Sequence, residues 1–228
     1  MIEYSIIRST RKTLAIHITK NAKVEVRAPF GLSKAIITAF INEKEQWIET
    51  HLRAIKKNSE ASKTFFLKDG DRLLVLGQEI PLVFCKGQKA IFDGECFYVE
   101  PSEDPLKIKV QVIGLYRRLA RKILTDKVTD FGKMMGVYPS GLKINGANTR
   151  WGSCSDKNSL NFSWKLMMGS EDAVDYVVVH ELAHILEHNH SAHFWEIVRK
   201  QMPDFEQRKE KLKILAQQLS AENWDIKG

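Results

Sequence analysis

Asp175-Tyr176-Val177-Val178-Val179-His180-Glu181-Leu182-Ala183-His184-Ile185-Leu186 sets two histidines and a glutamate inside an apolar run. The spacing predicts a helix. Ser170 is placed to cap it, Glu171 and Asp172 sit at its positive end, and it runs to about Glu187. Four residues rotate a helix by about 400°, so the His180 and His184 imidazoles lie about 40° apart and one turn apart. Two rings so placed grip one ion. Glu181 is offset around the helix from both, poorly placed to ligate and well placed to take a proton from metal-activated water. Burying these groups in an apolar helix is costly without a purpose. Most of the seven histidines also lie between 180 and 193, which argues against accident. The expectation is one zinc per chain, held by His180 and His184, with Glu181 as general base.

The third ligand comes from the residues that follow. His188 is eight residues beyond His180, and a continuous helix would put them about 12 Å apart, too far for one ion. His190 serves if the helix stops near Glu187 and the chain turns back, with Asn189 tolerating a left-handed turn. The result is His180-x3-His184-x5-His190, the pattern of three-histidine zinc proteases. That class often has glycine where this chain has Glu187. His193 on the next helix is the reserve, and Glu196 or Glu206 would give a two-histidine, one-carboxylate site.

Working outward, residues 1–30 read as strands: Ser5–Ile7, Thr13–Ile18 and Val24–Arg27, with a turn at Asn21–Ala22. Ser33 looks like the cap of a helix through about Lys57, and the polar stretch Lys57 to Lys63 reads as a linker. Residues 64–100 look β-rich, at Leu73–Leu76, Pro81–Phe84, Ala90–Phe92 and Cys96–Val99. After a break at Pro101 to Pro105, a long helix spans Leu106 to about Met135 and stops at Gly136. Residues 142–166 read as a hairpin, its second arm alternating Leu160, Phe162, Trp164 and Leu166. Ser191 caps a shorter helix ending before Pro203, and Asp204 to about Ala221 is the last. The fold class is α+β: a β-rich N-terminal region with one long helix over 1–105, then a helical metal core with its hairpin over 106–228.

The chain has 228 residues, 43% hydrophobic and 28% charged. No segment is apolar enough to span a bilayer, so no membrane partner is expected. The N-terminal MIEYSIIRSTRK lacks the parts of a signal peptide. Cys85, Cys96 and Cys154 form no CxxC pair, and free thiols without an export signal suit the cytoplasm. The formal net charge of +7 admits a nucleic-acid or nucleotide partner. Lys and Arg are interspersed with acids, however, so solubility explains the charge first.

Three motifs in order, Arg150-Trp151-Gly152-Ser153-Cys154-Ser155, the 175–184 segment, and Asn189-His190-Ser191-x-x-Phe194-Trp195, carry a resemblance to the YgjP-like metallopeptidase family. Arg11-Lys12-Thr13-Leu14, Arg27-Ala28-Pro29 and Trp47-Ile48 extend it over most of the chain. The resemblance implies a zincin-like core related to the SprT-like and Wss1-like proteases, in which the last histidine of the pattern completes the zinc site. That favours His190. It leaves the substrate open, since hydrolysis of nucleoside triphosphates has also been proposed within the family. Arg150 is a candidate for holding a substrate carboxylate, a phosphate or the transition-state oxyanion, or for an ion pair ordering the hairpin. Cys154 reads as a small buried hydrophobe before an inhibitory fourth ligand. Trp151 and Trp164 read as core, and Tyr176 as packing one turn before His180.

Three functions follow. The leading one is a peptidase acting on a peptide or protein, whose hairpin offers an edge strand to an extended substrate. The second is a metal-dependent nucleotide or phosphoester hydrolase, a nucleoside triphosphate pyrophosphatase, although no Walker A motif is present. The third is a nucleic-acid-associated protein with a structural zinc. Structural sites are usually cysteine-rich and closed, whereas three histidines leave a position open.

Overall fold

The computed structural model describes residues 2–19, 21–63 and 65–226, and of 57–63 only the backbone. The chain is α+β and divides into two compact units. One is Met1–Phe65 with Ser220–Asn223, the other Phe66–Leu219 with Trp224–Gly228.

In the first unit, β1 (Tyr4–Ser9), β2 (Ala15–Ile18) and β3 (Val24–Pro29) form a sheet in the order β1-β3-β2. β3 runs parallel to β1 and antiparallel to β2. Val24, Val26 and Ala28 alternate inward along the central strand and pack with Ile37, Ile41 and Ile48 from two helices. The single helix expected through Lys57 is two, α1 (Lys34–Glu43) and α2 (Glu45–Lys63). At Lys44 the N–H is shared between the carbonyls of Phe40 at 3.2 Å and Ile41 at 3.1 Å. Such a three-centre bond is common where a helix ends. The next helix starts at once, with Ile48 N–H on the Lys44 carbonyl at 2.9 Å. Lys57 to Lys63, expected as a linker, continue α2.

In the second unit, β4 (Arg72–Val75), β5 (Gln78–Phe84), β6 (Ile91–Phe92) and β7 (Phe97–Val99) form a sheet in the order β4-β5-β7-β6. α3 (Pro105–Met135) follows, capped by Asp104, with proline in its first turn and Gly136 left-handed at its end (φ 69°). The boundary expected at Pro101 to Pro105 falls inside this unit because the β4–β7 sheet is bound to the helices that follow. Tyr116 Oη donates to the Leu74 carbonyl at 2.8 Å, Leu76 N–H donates to the Met167 carbonyl at 2.7 Å, and the Phe97 and Tyr116 rings lie 5.2 Å apart.

The 142–166 region differs from a simple hairpin. β8 (Gly141–Asn145) and β10 (Ser159–Ser163) pair in parallel, and a short strand β9 (Gly152–Cys154) pairs antiparallel with β10. The order β8-β10-β9 makes β9 an edge. Trp164 and Leu166 do not continue the strand. Trp164–Met168 is a 3-10 turn, buried except near Lys165, so the apolar residues reach the core by another geometry. Three helices complete the unit: α4 (Glu171–Leu186), α5 (Ala192–Gln201) and α6 (Phe205–Leu219). Lys127 on α3 binds Glu171 at 2.9 Å and Asp175 at 2.6 Å on α4, and Asp172 pairs with Lys211 on α6. α4 is buried on most sides, including Val174, Val177 to Val179, Leu182 and Ala183. A helix apolar all round is a core helix. None of the helices among the described residues is long and apolar enough to cross a membrane.

Candidate metal centre

α4 carries His180, Glu181 and His184, as the 3.6-residue period requires. It ends where its last turn gives out. Glu187, at φ −144° and ψ 108°, is extended, and its N–H bonds the Ala183 carbonyl at 2.9 Å. The chain then reverses and Ser191 caps α5, its Oγ accepting from Phe194 N–H at 3.2 Å. Asn189 does not take the left-handed conformation expected of it, which the non-glycine residues Ala22, Leu76 and Asn158 adopt elsewhere. The extended Glu187 begins the reversal instead.

This reversal brings His190 back over α4. One ligand atom each from His180, His184 and His190 lie within 4.8 Å of one another. The Nε2 atoms of His180 and His190 are 3.1 Å apart. Two nitrogens on one tetrahedral ion, with bonds of about 2.05 Å, would stand about 3.3 Å apart. On His184 and His180 the other ring nitrogen, Nδ1, has a partner of its own. His184 Nδ1 is 3.1 Å from the Glu187 carbonyl oxygen, so Nδ1–H donates there and Nε2 keeps its lone pair. His180 Nδ1 is 3.4 Å from the Tyr176 hydroxyl. Burial, then the neighbours His184, His190 and Lys209, pull His180 down to about 3, so it is neutral at ordinary pH. Three imidazoles that each bring one ring nitrogen within 4.8 Å of the others offer lone pairs that a single cation can take up. The donor set therefore fits a divalent metal.

Phe194 is fully buried and packs on all three rings, at centroid distances of 4.9 Å to His180, 4.6 Å to His184 and 4.8 Å to His190. Trp195 lies 5.9 Å from His180 and 5.7 Å from His190 and stacks on Phe205 at 5.3 Å. Beyond Trp195 a cavity of about 520 Å³ opens between α5 and α6, with Arg199, Glu206 and Lys209 among its lining.

Glu181 is only 6% exposed. Burial pushes its carboxyl up to about 7, against the pull of the Arg150 guanidinium. Arg150 itself is exposed, so its charge reaches Glu181 from the solvent side. Cys154 is half-buried, its thiol raised by burial and then by the negative charge of Glu181 and Asp156. It stands outside the histidine cluster and its Sγ contacts the Ser155 carbonyl at 3.5 Å. His193, the reserve ligand, faces outward and pairs with Glu196 at 3.7 Å. Glu206 pairs with Lys209 at 3.5 Å, and His188 is exposed. None of these joins the three-histidine group among the described residues. Sequence reasoning quoted Phe194 within a motif and gave it no role. Its signal was an apolar residue three after a capping serine, a position that says "buried" without saying against what.

The chain belongs to the YgjP-like metallopeptidase family: a family model described as "YgjP-like, metallopeptidase domain" matches residues 12–214. It is thus a hydrolase of a metal-dependent class. No curated protein matches it. Solved structures with a partial likeness include two metallopeptidase zymogens. That of Pyrococcus abyssi abylysin is 21% identical, with 43% of this chain and 97% of that chain covered and a TM-score of 0.38. That of Methanocaldococcus jannaschii jannalysin is 24% identical, with 40% and 93% covered and a TM-score of 0.35.

Proposed function

We propose that this chain is a zinc-dependent peptidase whose metal is held by His180, His184 and His190 and whose general base is Glu181. The observation that carries the reading is the convergence of three imidazole nitrogens within 4.8 Å beside a buried carboxyl group. Three neutral nitrogen ligands with a position left open are the donor set of catalytic zinc, which supplies a Lewis-acidic centre that makes water nucleophilic near neutral pH. Glu181 accepts the proton of the attacking water and delivers it to the leaving amine. Arg150 faces the same region with a positive charge and stabilises developing negative charge on the substrate carbonyl oxygen. The edge strand β9 offers unpaired backbone groups to an extended peptide. Three free cysteines suit a reducing compartment, which supports a cytoplasmic location.

The test begins with elemental mass spectrometry of gently purified protein. About one zinc per chain is expected, in the wild type and in Glu181→Gln. The wild type should cut members of a mixed peptide library, and Glu181→Gln should not. A Glu181→Gln variant with full turnover would remove the general-base role. If a nucleoside triphosphate is hydrolysed and no peptide is cut, the chain is a nucleotide hydrolase using the same metal. If neither is turned over and salt-sensitive nucleic-acid binding appears, the metal is structural.

A further inference from the structure

Strand β9 passes close over Glu181, and Gly152 is the point of contact. A Cβ built on Gly152 would stand 2.6 Å from Glu181 Oε1, 2.7 Å from Cγ and 2.8 Å from Cδ. Real Cβ atoms essentially never approach so closely, and three atoms of one side chain are involved. Gly152 is absent from the glycines with positive φ. Its backbone is one that alanine adopts, so the need for glycine here is close approach and nothing else.

The strand cannot easily retreat. Gly152 lies opposite the fully buried Phe162 and Cys154 opposite the fully buried Leu160. Ser163 N–H donates to the Trp151 carbonyl at 2.8 Å. The loop before the strand is also tied down. Ser163 Oγ donates to the Ala147 carbonyl at 3.0 Å, and Asn148 reaches both Lys165 and, at 3.3 Å, Asp225. Glu181 is fixed from the other side by the buried helix α4. The carboxyl group therefore lies between a helix and a strand backbone, in the volume that a side chain at 152 would fill.

We infer that Gly152 is a positioning residue for Glu181: the bare backbone of the edge strand holds the carboxylate where it can take the proton of the attacking water. The inference rests on Glu181 being the general base. It gives the glycine of Arg150-Trp151-Gly152-Ser153-Cys154 a role of its own, with no contact to the metal required.

The experiment is a double-mutant cycle of Gly152→Ala with Glu181→Ala, read as the urea midpoint of the metal-free protein, together with steady-state kinetics and metal content of the metal-loaded Gly152→Ala variant. Glu181→Ala removes all three atoms that the new Cβ would strike. Gly152→Ala should lower the midpoint when Glu181 is present and leave it unchanged or raise it when residue 181 is alanine. In the kinetics, kcat should fall on the order of 100-fold, the scale of a 1 Å misplacement, with KM changed less than about twofold and zinc retained. Equal midpoint losses in both backgrounds would show that alanine only disturbs the strand, and would overturn the inference. So would full kcat in Gly152→Ala. Should Gly152→Ala fail to fold, recovery of folded protein by adding Glu181→Ala is the positive result, and no recovery is the negative one. A wild type that cuts no peptide sinks the peptidase reading and the catalytic role with it. The midpoint cycle still decides the contact, so the two failures are distinguishable.

Discussion

Replacing Glu181 by glutamine in the metal-free protein should stabilise it, and by an amount that grows with pH. The carboxyl is moved from 4.5 to about 7, chiefly by burial. A raised carboxyl pKa means that the folded state holds its proton more tightly than the unfolded state does. Between 4.5 and about 7 the unfolded chain has lost that proton and the folded chain has not, so stability falls as pH rises through this window and is level above it. Glutamine has no such proton. The advantage of Glu181→Gln over wild type should therefore increase by ~2.5 kcal/mol between about pH 5 and about pH 8. For a chain of this size that is an increase of roughly 5–10 °C in the difference of melting temperatures. His180 acts in the opposite sense. Its folded pKa is depressed to about 3, so it costs stability as pH falls below 6.5. That contribution is common to both proteins and cancels in their difference, which is why the difference and not either profile is the quantity to plot. The assay is urea unfolding after chelation and dialysis, at matched ionic strength across the pH series. A difference that stays flat from acid to mild base would show that Glu181 is not a buried carboxyl with a raised proton affinity, and the reasoning about its environment would be wrong.

The ligand assignment gives a paired expectation. His190→Ala should lose bound zinc on gentle purification and His193→Ala should keep it, measured by elemental mass spectrometry; the reverse result would move the third ligand onto α5. Tyr176→Phe removes only the hydroxyl 3.4 Å from His180 Nδ1. It should weaken zinc about 10-fold in chelator competition, at the lower end for groups that orient a ligand, and an unchanged affinity would reduce Tyr176 to packing.

Much of the site could be read from the sequence because it is local. A helix converts the spacing of His180, Glu181 and His184 into geometry with no help from the rest of the chain, and the three-histidine spacing and the family resemblance pointed to His190, although not through the left-handed Asn189 expected. What could not be read depends on contacts distant in sequence. The burial of Leu160, Phe162, Trp164 and Leu166 was legible. That β10 pairs in parallel with β8, or that the chain leaves the sheet after Ser163 for a 3-10 turn, was not, because alternation reports burial and not the partner. The same holds for the boundary at Pro101 to Pro105. A proline-rich break looks like a division, but Tyr116 and Leu76 fasten the sheet before it to the elements after it. Lys57 to Lys63 was misjudged for a different reason. Polarity there concealed residues that mostly propagate a helix well. Gly152 was quoted within a motif and given no task, since a glycine required by a neighbour 29 positions away leaves no local trace.

The placement of these groups also explains how a charged apparatus sits in an apolar helix. Burial drives Glu181 and His180 in opposite directions on the pH scale, toward the same end. The acid keeps its proton to about 7 and the base gives its proton up, so near neutrality neither is forced to carry charge in the core. Below about pH 7 neither Glu181 nor His180 thus burdens the metal-free helix with a full charge, which is the form that a helix buried on most sides tolerates. On the proposed reading, His180, His184 and His190 would hold a divalent cation, which would supply a positive field beside a carboxyl group whose proton affinity is raised to about 7. Such a field would favour the ionised form of Glu181. Glu181, proposed as the general base, would then be more fully ionised in the metal-loaded protein, while the metal-free protein is spared a buried negative charge below about pH 7. Gly152 belongs to this arrangement as well: a bare backbone leaves room for the carboxyl group in either protonation state, without a side chain to push it toward solvent.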